Sequence, residues 1–140
     1  MGFSTIGATL IIGISIIAML SIFSTEILPV VFDINDSYRD LENRILEKSQ
    51  TSINITNVTL SNVGGNLLLN VTVKNTGSVS LNTSDFSILV NGTKKSFTAT
   101  KSVIHPEKEA IFTITVSSSG SKRIKVITYN GVADYAEYGG

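Results

Sequence analysis

Phe3–Phe23 reads FSTIGATLIIGISIIAMLSIF, and how this stretch is read decides how the rest of the chain is divided. No Asp, Glu, Lys or Arg occurs from Met1 to Thr25; the first charge is Glu26. About 20 apolar residues, rising 1.5 Å each as a helix, cross a hydrocarbon core of about 30 Å. In lipid a helix satisfies its own backbone groups, so a helix is the expected form. Residues 1–28 therefore read as a transmembrane helix. A cleaved signal peptide would show a basic region before the apolar run and a small-residue cleavage site after it, and the sequence has neither. At about 100° per residue, Ser4, Gly7, Ala8, Ser15, Ala18, Ser21 and Thr25 share one broad arc. Small side chains admit a neighbouring helix closely, so Gly7, Ala8, Ser15 and Ala18 are candidate helix-packing positions. A lone anchor with incidental small residues is the alternative.

Beyond the apolar run, Pro29 is expected to kink or end the helix near Leu28. Residues 29–50 then read as an amphipathic stalk. Ile34, Tyr38, Leu41 and Ile45 recur at spacings of four, three and four and line one face. Asp40 precedes Arg44 by four residues, a supportive pair, and Asp36 suits the start of a helix. The apolar seam fits either a partner helix or the base of the following domain.

From Ser52 the period shortens to two, so residues 51–140 read as a β-domain. Ile53 and Ile55 alternate, and Val58 and Leu60 resume one step out of phase, which predicts a bulge near Thr56–Asn57. Leu67, Leu69, Val71 and Val73 follow the Gly64–Gly65 turn. Phe86, Ile88 and Val90 lead into an Asn91-Gly92 hairpin turn, with Phe97 and Ala99 on the return strand. Ala110, Phe112, Ile114 and Val116 alternate cleanly, then Ile124, Val126 and Thr128, and a last strand surrounds Val132–Glu137. About seven short antiparallel strands with regular turns predict a mainly β fold, an immunoglobulin-like β-sandwich without the Cys and Trp signature of antibody domains.

Composition narrows the function. Eleven basic and eleven acidic residues give zero net charge, and no basic run invites nucleic acid. Cysteine is absent, which removes disulfides and thiolate metal sites. His105, the only histidine, precedes Pro106 and reads as a turn residue. No catalytic, cofactor-binding or metal constellation is present, and the chain is not read as an enzyme. Six Asn-x-Ser/Thr triplets begin at Asn35, Asn54, Asn57, Asn70, Asn82 and Asn91. They are candidate glycosylation sites and point to an extracytoplasmic domain. Leu68, Leu89, Ile111 and Ile127 fall on the phase opposite the core, as does Tyr129. The first four are expected to form a partner-binding patch if they meet on one sheet; an exposed edge strand is the other route to a partner.

The Met1-Gly2-Phe3-Ser4 opening into an apolar helix, with Val71-Thr72-Val73-Lys74-Asn75-Thr76-Gly77-Ser78 as a strand and turn, resembles archaellin-like proteins of archaea. Within that group the chain resembles the accessory stator proteins FlaF and FlaG of the archaellum (the archaeal swimming filament), and its opening favours FlaF. The resemblance implies a single-pass protein of the cell membrane with its C-terminal domain outside, beneath the S-layer. It also implies a stator role in the motor, with the S-layer protein, other archaellum subunits (a FlaG-like partner or a second copy) and membrane lipid as partners, and no cofactor. An archaellin or type IV pilin-like filament subunit, assembling through its N-terminal helix, is the alternative. Such subunits carry a basic leader, which is not seen before Met1-Gly2.

Overall fold

The computed structural model describes residues 2–140, which fall into two compact units, one ending at Asn43 and one spanning Arg44–Gly140. In the first, α1 covers Gly2–Ile22, and a π-helical turn over Phe23–Ile27 leads into α2, Leu28–Gln50. The 21 residues of α1 match the length needed to cross a bilayer. Two of its hydroxyls turn onto the helix, Thr9 donating to the Thr5 carbonyl and Ser15 to the Ile11 carbonyl, each at 2.8 Å, and in the π-helical turn Thr25 donates to the Ser21 carbonyl at 2.9 Å. Of the two expected outcomes at Pro29, a kink or an end, the helix does not end there. The proline ring crowds the carbonyl four residues back and the residue has no N–H to donate. The turn just before it is widened, so that the Leu28 N–H donates five residues back to Phe23, and the α-helix resumes.

The second unit contains the end of α2 and a β-sandwich of ten strands: β1 Ile53–Val63, β2 Asn66–Asn75, β3 Leu81–Asn82, β4 Ser87–Val90, β5 Thr93–Lys95, β6 Thr98–Ala99, β7 Val103–Ile104, β8 Glu109–Val116, β9 Lys122–Ile127 and β10 Ala133–Tyr138. One antiparallel sheet has the order β1-β2-β8-β6 and the other β10-β9-β4-β5, while β3 and β7 form a two-stranded pair. The alternating residues read from sequence are the core. Leu69, Val71, Val73, Ile88, Val90, Ala110, Phe112, Ile114, Ile124 and Val126 are all buried. The count exceeds the expected seven because β3 and β7, two residues each, show no period, and because the return strand expected at Phe97 and Ala99 is split in two.

The return strand is also divided. β5 pairs with β4 in one sheet, and β6 pairs with β8 in the other. Phe97 sits at that crossing, edge-on to Phe112 with ring centroids 5.1 Å apart, while Phe86 stacks on Phe112 at 5.3 Å. The bulge falls where the phase slip placed it: Ile55 pairs with Val73, Asn57 with Thr72, and Thr56 is the extra residue. Beside it the Ile55 N–H donates to an Asp134 carboxylate oxygen on β10 at 2.7 Å, tying the edge strands of the two sheets together.

Phe112→Ala should cost about 3–5 kcal/mol by leaving a cavity against Phe86 and Phe97. Asp134→Ala should cost about 1–3 kcal/mol by orphaning one backbone donor. Denaturant titration of both variants checks the ranking, and equal losses would contradict the central role of the aromatic stack.

Candidate functional site

Among the described residues no group of three or more His, Cys, Asp or Glu could hold a metal ion. His105 faces the Ser80 hydroxyl at 2.9 Å across an exposed turn. The outer faces of the two sheets are the candidate surfaces, and they differ chemically.

The outer face of the β1-β2-β8-β6 sheet is uncharged over its central rows. Thr59, Asn70, Thr113 and Thr98 form one row across the strands, and Asn57, Thr72 and Ile111 form the next. On the other side, Ser61, Leu68 and Thr115 align. The β10-β9-β4-β5 sheet presents Tyr135, Lys125, Leu89 and Lys94 in one row and Glu137 and Arg123 in another. Lys125 Nζ lies 5.1 Å from the Tyr135 ring centroid, a cation–π distance. Arg123 Nε meets Glu137 Oε1 at 3.1 Å. Leu89, Arg123, Lys125 and Tyr135 line a groove of about 400 Å³.

The four expected patch residues do not meet. Leu68 and Ile111 lie on one sheet with the Asn70–Thr113 row between them, and Leu89 and Ile127 lie on the other. Alternation shows which way a side chain points within its strand; it carries no information on which sheet the strand joins.

The triplet asparagines separate by environment. Asn35 is on α2; Asn54 and Asn57 are exposed on β1. Asn70 is held across three strands, donating from Nδ2 to Ser61 Oγ at 3.5 Å and accepting from Thr113 Oγ1 at 2.9 Å. Asn82 caps a short helical turn by accepting from the Ser84 N–H at 3.2 Å. Asn91 sits in the hairpin turn at φ 51° and accepts from the Arg123 N–H at 2.9 Å. Gly7, Ala8, Ser15 and Ala18 all lie on α1, where none of the residues is buried.

A joint that the sequence did not disclose ties Glu47–Ser52 to the sandwich. Asn75 is fully buried; its Nδ2 donates to the Val79 and Ile104 carbonyls at 2.7 and 2.9 Å, and its Oδ1 accepts from the Gly77 N–H at 3.0 Å. This fixes a turn whose N–H groups face the end of α2. Thr76 and Gly77 donate to Ser52 O, and Ser78 donates to Gln50 O at 2.9 Å. A side chain at position 77 would place Cβ 2.3 Å from Gln50 O, so glycine is required there for space. On the far side, Asn130 Nδ2 donates to Thr51 Oγ1 at 2.8 Å, Thr51 Oγ1 donates to Glu47 O at 2.8 Å, and the Tyr129 hydroxyl donates to the Glu47 carboxylate. Asn75-Thr76-Gly77 was legible only as a turn, and Tyr129 only as an off-phase apolar residue.

The hydrogen bond to Glu47, with some desolvation and the carboxylate's charge, raises the Tyr129 pKa above its ordinary 10.0. Because the folded pKa is the higher one, the contact's contribution is complete below about pH 10 and is lost as pH rises through the raised value. In a tyrosinate absorbance titration, Tyr129→Phe should lose a component whose midpoint lies above the ordinary tyrosine value; loss of an unshifted component would contradict the contact. Gly77→Ala should destabilise the domain by about 1–3 kcal/mol, the range of overpacking, while the exposed Gly120→Ala should be near neutral in the same thermal melt.

No protein-family model matches the sequence, and no curated protein matches it. Among solved structures, the chain is similar to the archaellum periplasmic stator protein FlaG from Sulfolobus acidocaldarius. The TM-score is 0.53 at 18% identity over 63% of this chain and 99% of that one. It is also similar to a chain of the archaellum periplasmic stator protein complex FlaF and FlaG from the same organism, at TM-score 0.47 and 17% identity, over 61% of this chain and 87% of that one. The β-sandwich thus has the fold of the FlaG stator domain.

Proposed function

We propose that the protein is a membrane-anchored structural component of the archaellum motor, whose β-sandwich stands outside the membrane and acts as a stator against the S-layer. The observation that carries this reading is the pairing of a bilayer-length apolar helix with a sandwich whose fold accounts for 99% of a FlaG chain. A stator has to hold load through its surfaces. They offer hydrogen-bonding rows, a groove lined by Arg123, Lys125 and Glu137, and edge strands.

A static element must also pass force from its anchor into its domain. The joint at Glu47–Ser52 supplies backbone hydrogen bonds from Thr76, Gly77 and Ser78 on one side and side-chain bonds from Tyr129 and Asn130 on the other. Partners are the S-layer protein and other archaellum subunits, reached through the sandwich. Residues 1–28 are the anchor, 29–50 the stalk and 51–140 the extracytoplasmic domain.

The test is deletion in an archaellated host. Cells lacking the protein should keep filament protein but lose most directed swimming, and the full-length chain should restore it. The protein should leave membranes only with detergent. Unimpaired swimming, or purified filaments built mainly of this chain, would contradict the stator reading.

A further inference from the structure

We infer that the end of the sandwich opposite the Glu47–Ser52 joint carries an oxyanion site, centred on Lys122 and Lys95, that takes a sulfate or phosphate group. Lys122 opens β9 on the inward phase: Lys122, Ile124 and Val126 are all buried. Strand alternation reserves that position for an apolar residue. The register of β5 repeats the pattern. Thr93 lies opposite Val90 and Lys95 opposite Ile88, so both share the inner side of their sheet with buried residues.

Lys122 is only 3% exposed. Lysine is almost never buried this far unless it is paired, because an ammonium taken out of water needs a counter-charge. Its Nζ meets Ser118 Oγ at 3.0 Å, a neutral partner for one of the three donors that an ammonium carries. The ion pairs among the described residues are Lys74–Glu107 and Arg123–Glu137, and neither involves Lys122 or Lys95. The counter-charge must therefore come from outside the chain.

The space for it is a cavity of about 180 Å³ that Lys122 and Lys95 line together with Asn91, Thr93, Ser117 and Ser118, and that no Asp or Glu lines. The volume is well below the about 300 Å³ at which sites for drug-sized ligands begin, so one charged group fits rather than a whole sugar or nucleotide. The donors converge from the β4–β5 turn, from β5, from the segment after β8 and from β9. Lysine acts as a point charge with donors that rotate, which suits a tetrahedral oxyanion, whereas a planar carboxylate is matched by the arginine fork. The neighbouring Arg123 is instead turned to the outer face, where it meets Glu137 at 3.1 Å.

The test is a thermal melt of the full-length protein in nonionic detergent, titrated with inorganic sulfate, inorganic phosphate or glucose 6-phosphate. Ionic strength is held constant with sodium chloride to separate binding from screening. Sulfate and phosphate strengthen burial in any protein, so saturation and the variants decide. The melting temperature should rise and saturate in the millimolar range. Lys122→Met and Lys95→Met should each need at least about ten-fold more ion for the same rise, the loss expected for one charged hydrogen bond. Lys108→Met, which removes an equal charge from an exposed turn, should match the native chain. Without oxyanion, Lys122→Met should melt at or above the native temperature, since an unpaired buried charge is replaced by an apolar side chain. Should Lys122→Met fail to fold, Lys95→Met decides alone. Saturation by glucose 6-phosphate assigns the group to an ester on a larger molecule, and saturation by the free ions alone assigns it to a resident ion; both support the site. A rise that saturates with none of the three probes, or that is unchanged in either folded variant, would overturn the inference. Detergent extraction and swimming test the stator reading separately, so the two can fail independently.

Discussion

The sandwich depends on one aromatic contact set. Phe112 lies at the middle of the core with Phe86 stacked on it and Phe97 edge-on. Phe86 precedes β4 of one sheet, Phe112 belongs to β8 of the other, and Phe97 lies where the chain passes between them. The three rings join both sheets and the crossing chain with about 5 Å between centroids, the separation at which aromatic pairs attract beyond their buried area. With that seat fixed, the alternating Val, Ile and Leu residues of β2, β8, β9 and β4 close over it by ordinary burial.

From this centre, the edges follow. β1 is long, bulged and at the border of its sheet, a position that in many proteins invites further pairing. Here the bulge exposes a donor that Asp134 accepts, so the same irregularity that bends the strand also ties it to β10. In the other sheet, the border opposite β10 is β5, three residues long and carrying Lys94 and Lys95, which discourages edge-to-edge association. The outer faces are left as the surfaces available for recognition, one uncharged over its central rows and hydroxyl-rich, the other bearing Lys94, Arg123, Lys125 and Glu137 beside Tyr135.

Much of this was legible in the sequence, and the limits have physical causes. The apolar run, the stalk seam, the phase slip at Thr56 and the inward residues from Leu69 to Val126 are local patterns, and local patterns survive folding. The sheet assignment of Leu68, Leu89, Ile111 and Ile127 is not local, and the expected single patch separated into two pairs. β3 and β7 were too short to show a period. The joint was hidden for another reason. Gly77 matters through a backbone approach from Gln50, and Asn75 through partners at Val79 and Ile104. A turn signature does not reveal contacts formed at such a distance along the chain. Pro29 was read correctly as a disturbance, but the helix absorbs it in one widened turn.

The central claim is that an anchored chain carries its sandwich outside the membrane. Its most direct measurement is labelling of Ser119→Cys, in the exposed loop between β8 and β9, with a membrane-impermeant maleimide on intact cells. The native chain has no cysteine to compete. The account predicts labelling of intact cells equal to that of permeabilised cells; labelling only after permeabilisation would contradict it.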